Sequence, residues 1–231
     1  MSKKGKRNWT GNQEPLVVKM NEKERLELTK KIIKEVFIEQ KKVLDYWKNI
    51  TGQPSQVDSG YLAQHLISLL TGIPGEGLRG KGIDLGDNSE IKSACCVGGI
   101  DIPRWNLSFQ NDGNMDAILK IPNIYFVLFD EKDNKLRVRV WRIDPDKDEA
   151  FKKTFDIWRN GERKSKNFQI HPPVKKDSNI ATNLSGNLEL PLMYEARENE
   201  SGNMDITHFK NQGLLASKYI ENERSNSSKV I

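Results

Sequence analysis

Two carboxylates and a lysine lie close together in the segment 84–92, as Asp84, Glu90 and Lys92. In a strand, residues two apart share a face, so Glu90 and Lys92 would point the same way. If residues 86–88 form a tight turn, Asp84 would face Glu90 across a hairpin, with Cβ atoms about 4.5–5.5 Å apart. Opposed carboxylates repel unless a cation lies between them, and Mg²⁺ prefers carboxylate, water and phosphate oxygens. With Lys92 able to orient a water or stabilise phosphate charge, the segment predicts metal-assisted phosphodiester hydrolysis.

The acid-x-Lys triplet alone carries little weight, because it recurs at residues 39–41, 130–132, 133–135 and 162–164. These copies are expected in a helix, in a polar turn or in a basic loop. The copy at 90–92 differs because it follows a short strand with a second acid and leads into the apolar run 94–97. Two alternatives stay open: a surface hairpin with an ordinary salt bridge, and Asp87 in place of Asp84 as the first metal ligand.

The elements that must position this segment are indicated by hydrophobic spacing. Apolar residues recur at three- and four-residue steps over 21–49, and a second helix is expected from the Asp58/Ser59 cap to Gly72. Strands are expected at 83–85, 90–97, 124–129 and 188–192, with a helix at 147–158. The alternation over 136–143 predicts a further strand with one solvent-exposed face.

This order of elements favours one mixed α/β domain. We expect a flexible basic N-terminal tail over 1–18, a domain over 19–220 and a frayed tail over 221–231. Within the domain, the catalytic core is expected at about 59–145. The segment at about 160–190 is rich in lysine and amide side chains, which can follow a phosphate backbone, so it is expected to be a DNA-recognition segment.

Composition excludes several classes of protein. The 231 residues carry a net charge of +5 and only two cysteines, the neighbours Cys95 and Cys96. A disulfide framework and a structural zinc site are therefore not expected. Apolar runs fall far short of the roughly 20 residues that cross a bilayer, and the N-terminus lacks the apolar region of a signal peptide. We expect a protein of the cytoplasm with no membrane partner.

The phrase RGKGIDLGDNSEIKSA, with Asp84, Glu90 and Lys92, resembles the active-site motif of the PD-(D/E)XK nuclease superfamily. It is similar to type II restriction endonucleases, in particular to the MamI-like group. The resemblance covers about residues 59–106 and extends through the strands near 124–143. Two departures are visible: Ile83 stands where the superfamily motif has a proline, and the spacing from Asp84 to Glu90 is short.

The resemblance implies a central mixed β-sheet flanked by helices, and a homodimer that cuts double-stranded DNA to leave 5′-phosphates. It implies Mg²⁺ as cofactor, with Mn²⁺ as a substitute, bound by Asp84 and Glu90 beside Lys92. Many members carry a helper acid on the preceding helix, where this chain offers Gln64 as a possible helper. A nicking, repair or junction-resolving nuclease of the same superfamily is an alternative, and a non-catalytic DNA-binding protein is another.

Residues that could contact DNA are basic or carry amides. Lysine mostly positions phosphates, whereas arginine, asparagine and glutamine can also read base edges. For any one of them a hydrated surface loop is an equally good interpretation. The candidates are Arg79, Lys81, Arg104, Asn106, Lys164, Lys166, Asn167, Gln169, Lys175, Lys176 and Asn183.

Overall fold

The computed structural model describes residues 15–76, 83–99, 103–107, 115–162, 168–172, 182–183 and 192–210. The predicted terminal tails lie outside these ranges, apart from residues 15–18, which enter a short 3₁₀ helix at Leu16–Lys19. Within the described ranges, no helix is long and apolar enough to cross a membrane.

The N-terminal part of the domain, up to Thr71, is helical, as the spacing predicts. Helix α1 (Glu22–Ile32) continues through a π-helical segment (Ile33–Ile38) into α2 (Glu39–Thr51). A capping box between Asn21 and Glu24 starts α1, satisfying backbone donors that have no partner inside the helix. Helix α3 (Ser59–Thr71) is capped by Asp58 and ends at a left-handed Gly72, and α4 (Glu149–Ile157) follows the sheet hairpin.

A five-stranded sheet with the order β1-β3-β4-β7-β8 forms the centre of the fold. Its strands are β1 (Glu90–Cys95), β3 (Ile124–Lys132), β4 (Lys135–Ile143), β7 (Leu192–Glu198) and β8 (Met204–Phe209). Strands β1 and β3 are parallel and the other pairs are antiparallel, so the sheet is mixed. The predicted α/β class with a central mixed sheet is confirmed.

A second, three-stranded sheet has the order β2-β5-β6. It contains β2 (Trp105–Leu107), β5 (Phe168–His171) and β6 (Thr182–Asn183). Trp105 is fully buried and donates its Nε1–H to the carbonyl of Val127 at 3.0 Å, so this small sheet packs against β3 of the large one.

Each face of the large sheet carries its own hydrophobic core. Tyr125, Val127 and Phe129 of β3 face the cluster that contains α3, whereas Phe126 and Leu128 face the cluster that contains α4 and the small sheet. Because both faces are covered, the middle strands are buried almost throughout.

The prediction that β4 has one wet face is wrong. Arg137 and Arg139 are 1% and 0% exposed, although they occupy the polar positions of the alternating pattern. Their counter-charge is Asp130, which lies inside β3 and not in the polar turn where the sequence placed it. Arg137 bonds both oxygens of Asp130, at 3.0 and 2.6 Å, and Arg139 bonds one at 2.8 Å. A buried ion cluster therefore replaces the expected contact with water.

Candidate active site

The turn before β1 holds the segment that the sequence singled out. The backbone N–H groups of Asp84 and Leu85 both donate to the carbonyl of Ser89, at 3.3 and 3.2 Å, and Asn88 donates to the carbonyl of Leu85 at 2.9 Å. Asn88 closes the turn with a φ of 70°. The expected strand at 83–85 is wrong, since Leu85 makes only one isolated bridge, with Gly75. Asp84 nevertheless lies next to the start of β1.

Two hydrogen bonds orient the carboxylate of Asp84. Gln64 of α3 donates Nε2–H to Oδ1 at 2.7 Å, and the backbone N–H of Ile91 donates to Oδ2 at 2.8 Å. Helix α3 and strand β1 thus hold the carboxylate from two sides, and the predicted helper Gln64 contacts Asp84.

Glu90 and Lys92 form an ion pair on one face of β1, as the two-residue period predicts. Their side chains are 17% and 27% exposed, so the pair is shielded from bulk water but reachable from it. The backbone of Glu90 is tied to the large sheet by its N–H, which donates to the carbonyl of Asn123 at 3.0 Å.

Burial raises the pKa of both carboxyl groups above the ordinary range. For Asp84, desolvation outweighs the lowering by the Ile91 amide, Lys92 and Gln64. For Glu90, desolvation outweighs the lowering by Lys92, and the negative charge of Asp84 raises the pKa further. The negative charge of Asp84 thus acts on Glu90, which places the two acids near each other.

Asp87 has a different use in the structure. Its Oδ1 accepts the N–H of Ser89 at 3.0 Å and its Oδ2 accepts the hydroxyl of Ser89 at 2.9 Å. Both oxygens stabilise the turn itself. The oxygens of Asp84 instead bond to α3 and to β1 next to Glu90, and this position favours Asp84 as the ligand between the two acids that the sequence left open.

The donor set suits a hard divalent cation. Two carboxylates meet there, and among the described residues no cluster of three or more His, Cys, Asp or Glu could hold a metal ion. A cation at Asp84 and Glu90 would thus complete its shell with water and substrate oxygens, which is the coordination that Mg²⁺ favours. A cleft of about 1050 Å³, lined in part by Tyr61, Gln64, His65 and Asp84, opens beside the site.

Several candidate DNA-contact residues come together on the small sheet. Asn106 of β2 pairs with Gln169 of β5, whose Nε2–H donates to Asn106 Oδ1 at 2.8 Å. Arg104 is exposed next to β2, and Asn183 of β6 pairs with Ile170 of β5. Residues that are well separated in sequence thus share one surface element. The remaining candidates lie outside the described residues: Arg79, Lys81, Lys164, Lys166, Asn167, Lys175 and Lys176.

The sequence did not single out Ser89 and Asn123, which connect the turn to the large sheet. Asn123 donates Nδ2–H to the hydroxyl of Ser89 at 3.2 Å, and both residues are buried. The only signal available was the position of each polar residue directly before a strand.

Comparison with known proteins decides the family. The family model described as MamI restriction endonuclease matches residues 46–205, which include the turn and the strands of both sheets apart from most of β8. The chain belongs to the MamI restriction endonuclease family. Within 197 aligned residues it is 35% identical to "Type II restriction enzyme MamI" of Microbacterium ammoniaphilum. The alignment covers 75% of this chain and 63% of that relative, so the chain spans less than two thirds of the relative's length. No solved structure matches the chain.

Proposed function

We propose that this chain is a Mg²⁺-dependent type II restriction endonuclease that acts on double-stranded DNA in the cytoplasm. The observation that carries the proposal is the meeting of Asp84, Glu90 and Lys92 at the start of β1, in a chain of the MamI family. The raised pKa values indicate that keeping these two partly desolvated acids ionised costs free energy, and a bound cation would offset that cost.

Each of the three residues has a distinct task in this proposal. Asp84, fixed by Gln64 and the Ile91 amide, and Glu90, fixed by its own strand, offer oxygen ligands from two different backbone segments. A bound Mg²⁺ would supply Lewis acidity toward the phosphate. Lys92, next to Glu90, orients the attacking water and stabilises the charge that accumulates on the phosphate.

Digestion of a supercoiled plasmid in Mg²⁺ tests the activity. We expect discrete linear fragments from the wild-type protein and none from Glu90→Gln or Lys92→Ala, with DNA binding retained in a gel-shift assay. Asp84→Asn should also be inactive and Asp87→Asn milder. A matched control is Glu39→Gln, which changes the acid of another acid-x-Lys triplet, on the exposed face of α2. Normal cleavage by Glu90→Gln would refute the proposed site.

The form of the product distinguishes this proposal from its alternatives. Nicked circles would indicate a nicking or repair nuclease, and a gel shift without cleavage would indicate a DNA-binding protein. For a type II enzyme we expect 5′-phosphate and 3′-hydroxyl ends, so that the fragments religate without treatment by a kinase. Sequencing the fragment ends would also give the recognition site and the stagger of the cut.

We further propose that the small sheet contributes to DNA recognition. Asn106 and Gln169 present paired amides, which suit adenine edges, and Arg104 lies exposed beside them. If they read bases, Gln169→Ala should change discrimination at particular base pairs, whereas Arg104→Ala should weaken binding more uniformly if it contacts a phosphate. Equal loss on all DNA sequences for Gln169→Ala would remove it from base reading.

Cleavage of both strands of a palindrome calls for two copies of the site, so we propose a homodimer. Helix α2 has no buried residue, and it exposes Val43, Tyr46, Trp47 and Ile50 at helical spacing. This apolar stripe supports α2 as the contact between two copies. Light scattering should give the dimer mass for the wild-type protein and the monomer mass for Trp47→Glu. A monomer bound to a palindromic cognate duplex would refute the dimer.

A further inference from the structure

A buried asparagine links the active-site turn to the middle of the large sheet. Asn123 is 2% exposed and directly precedes β3, which pairs with β1 from the register Glu90–Ile124 onward. Its carbonyl accepts the N–H of Glu90 at 3.0 Å, and its Nδ2–H donates to the hydroxyl of Ser89 at 3.2 Å. Its Oδ1 accepts Nε–H of Arg142 at 2.7 Å.

Ser89 connects Asn123 to both candidate metal ligands, Asp84 and Glu90. The hydroxyl proton of Ser89 goes to Asp87, so its oxygen receives the Asn123 amide. The carbonyl of Ser89 accepts the N–H of Asp84, and the next residue along is Glu90. A shift of Ser89 would therefore move Asp84 relative to Glu90.

We propose that Asn123 is a positioning residue, which fixes the separation between Asp84 and Glu90 through Ser89 while Arg142 holds its own amide in orientation. The proposal rests on the proposed function, because it takes Asp84 and Glu90 as the metal ligands. Asn123 contacts neither carboxylate and acts through the backbone that carries them. An asparagine suits this position because its one side chain both donates to Ser89 and accepts from Arg142.

Amide hydrogen exchange in the metal-free, DNA-free protein tests this directly. In Asn123→Ala we expect exchange of the Asp84, Leu85 and Glu90 amides to accelerate about tenfold, because the side-chain contact that restrains Ser89 is lost. Asn123→Asp keeps an acceptor for Arg142 but cannot donate to Ser89, so we expect the same acceleration from it. This second variant also decides the matter if the alanine variant does not fold.

A matched control separates positioning from general loss of stability. Thr29 and Tyr194 share a buried hydroxyl–hydroxyl contact of 3.0 Å, and Tyr194 lies on β7, three strands from β1. Tyr194→Phe therefore removes a comparable buried hydrogen bond away from the turn. We expect this variant to leave exchange at Asp84, Leu85 and Glu90 within about twofold of the wild-type rate. Acceleration no greater in the Asn123 variants than in Tyr194→Phe, or equal acceleration throughout the protein, would overturn the proposal.

A second measurement connects the position of the turn to the metal. With cognate DNA, the Mg²⁺ concentration for half-maximal cleavage should rise about tenfold in Asn123→Asp, while DNA affinity in Ca²⁺ stays unchanged. An unchanged Mg²⁺ requirement would contradict the role of Asn123 at the metal ligands. If the wild-type protein does not cleave DNA at all, the proposed function fails, and the exchange result still decides whether Asn123 fixes the turn.

Discussion

Asp130 offers a sharp test of how the central sheet is stabilised. It is 2% exposed and is shared by two buried guanidinium groups, those of Arg137 and Arg139. Burial lowers the pKa of Arg139, and the charge of Asp130 opposes that shift. Asp130→Asn keeps the size of the side chain and one acceptor oxygen but removes the negative charge, so both guanidinium groups lose their common counter-charge.

The expected loss follows from that arrangement. Removing one partner from a buried ion pair costs about 3–5 kcal/mol, because the remaining charge stays desolvated. For a chain of this size, each kcal/mol shifts the melting temperature by about 2–4 °C. Asp130→Asn should therefore melt about 6–20 °C below the wild-type protein.

Differential scanning calorimetry measures this shift, with Asp133→Asn as the control. Asp133 is exposed in the β3–β4 turn, where its φ of 54° suits asparagine equally well, so the control should melt within about 2 °C of wild type. Asp130 lies six residues along β3 from Ile124, the neighbour of Glu90, which is about 20 Å of strand. Cleavage at a temperature where the variant is folded should thus be unchanged. A melting temperature within 2 °C of wild type, or lost cleavage in a folded variant, would refute this account of the cluster.

The remaining predictions concern protons, metal and salt. Because burial raises the pKa of metal-free Asp84 and Glu90, protons should compete with Mg²⁺ for these carboxylates at a higher pH than they would for ordinary carboxyl groups. Single-turnover cleavage at low Mg²⁺ should therefore decline on acidification well above pH 4, and a decline only near pH 4 would contradict this. Because the folded-state pKa of Glu90 lies above its unfolded value, folding favours the protonated carboxyl group. The metal-free wild-type protein therefore loses stability as the pH rises through the folded-state pKa. Metal-free Glu90→Gln should melt no lower than wild type at neutral pH, and the two melting temperatures should converge in acid. EDTA should stop cleavage, and Mg²⁺ or Mn²⁺ should restore it, whereas Ca²⁺ should allow DNA binding with little cutting. Robust cleavage in EDTA would refute the assignment of Asp84 and Glu90 as a metal site. Removing the charges of Lys175 and Lys176 should weaken binding to all DNA sequences and flatten its salt dependence, and an unchanged salt slope would show that these two lysines do not contact the DNA.

The site was predictable where its chemistry is local in sequence. The two-residue period placed Glu90 and Lys92 on one face, and the glycine–aspartate–asparagine turn brought Asp84 beside them. Gln64 is 20 residues from Asp84, and only the resemblance to a nuclease family drew attention to it. Asn123 could not be found in this way, because its importance depends on a strand pairing that no local pattern encodes.

In the central sheet too, local sequence patterns predicted some features, whereas features that depend on a neighbouring strand were missed. Alternation correctly predicted that β4 is a strand, but periodicity cannot distinguish an exposed arginine from one whose charge is neutralised on the neighbouring strand. A strand was also expected at 188–192, of which residues 188–191 lie outside the described part of the chain; β7 (Leu192–Glu198) lies beyond that range apart from Leu192 and was not predicted. The charged residues of β7 interrupt the hydrophobic pattern from which a strand is predicted. One of them, Glu195, is nevertheless buried against the side chains of Arg197 and Thr207.

The hydrogen bond from Ile91 to Asp84 also bears on self-association. Strand β1 is at one edge of the large sheet, and its inner side pairs with β3. An unpaired N–H on the outer side would be a template for a strand from another molecule, and proteins commonly block such edges with charged groups. The backbone N–H of Ile91 on this side donates to a carboxylate oxygen of Asp84. Asp84 is therefore both a candidate metal ligand and a group that protects the sheet edge from pairing with another strand. An alanine at this position would open the edge to aggregation, whereas asparagine retains an acceptor oxygen and is the better substitution for trapping an uncleaved DNA complex.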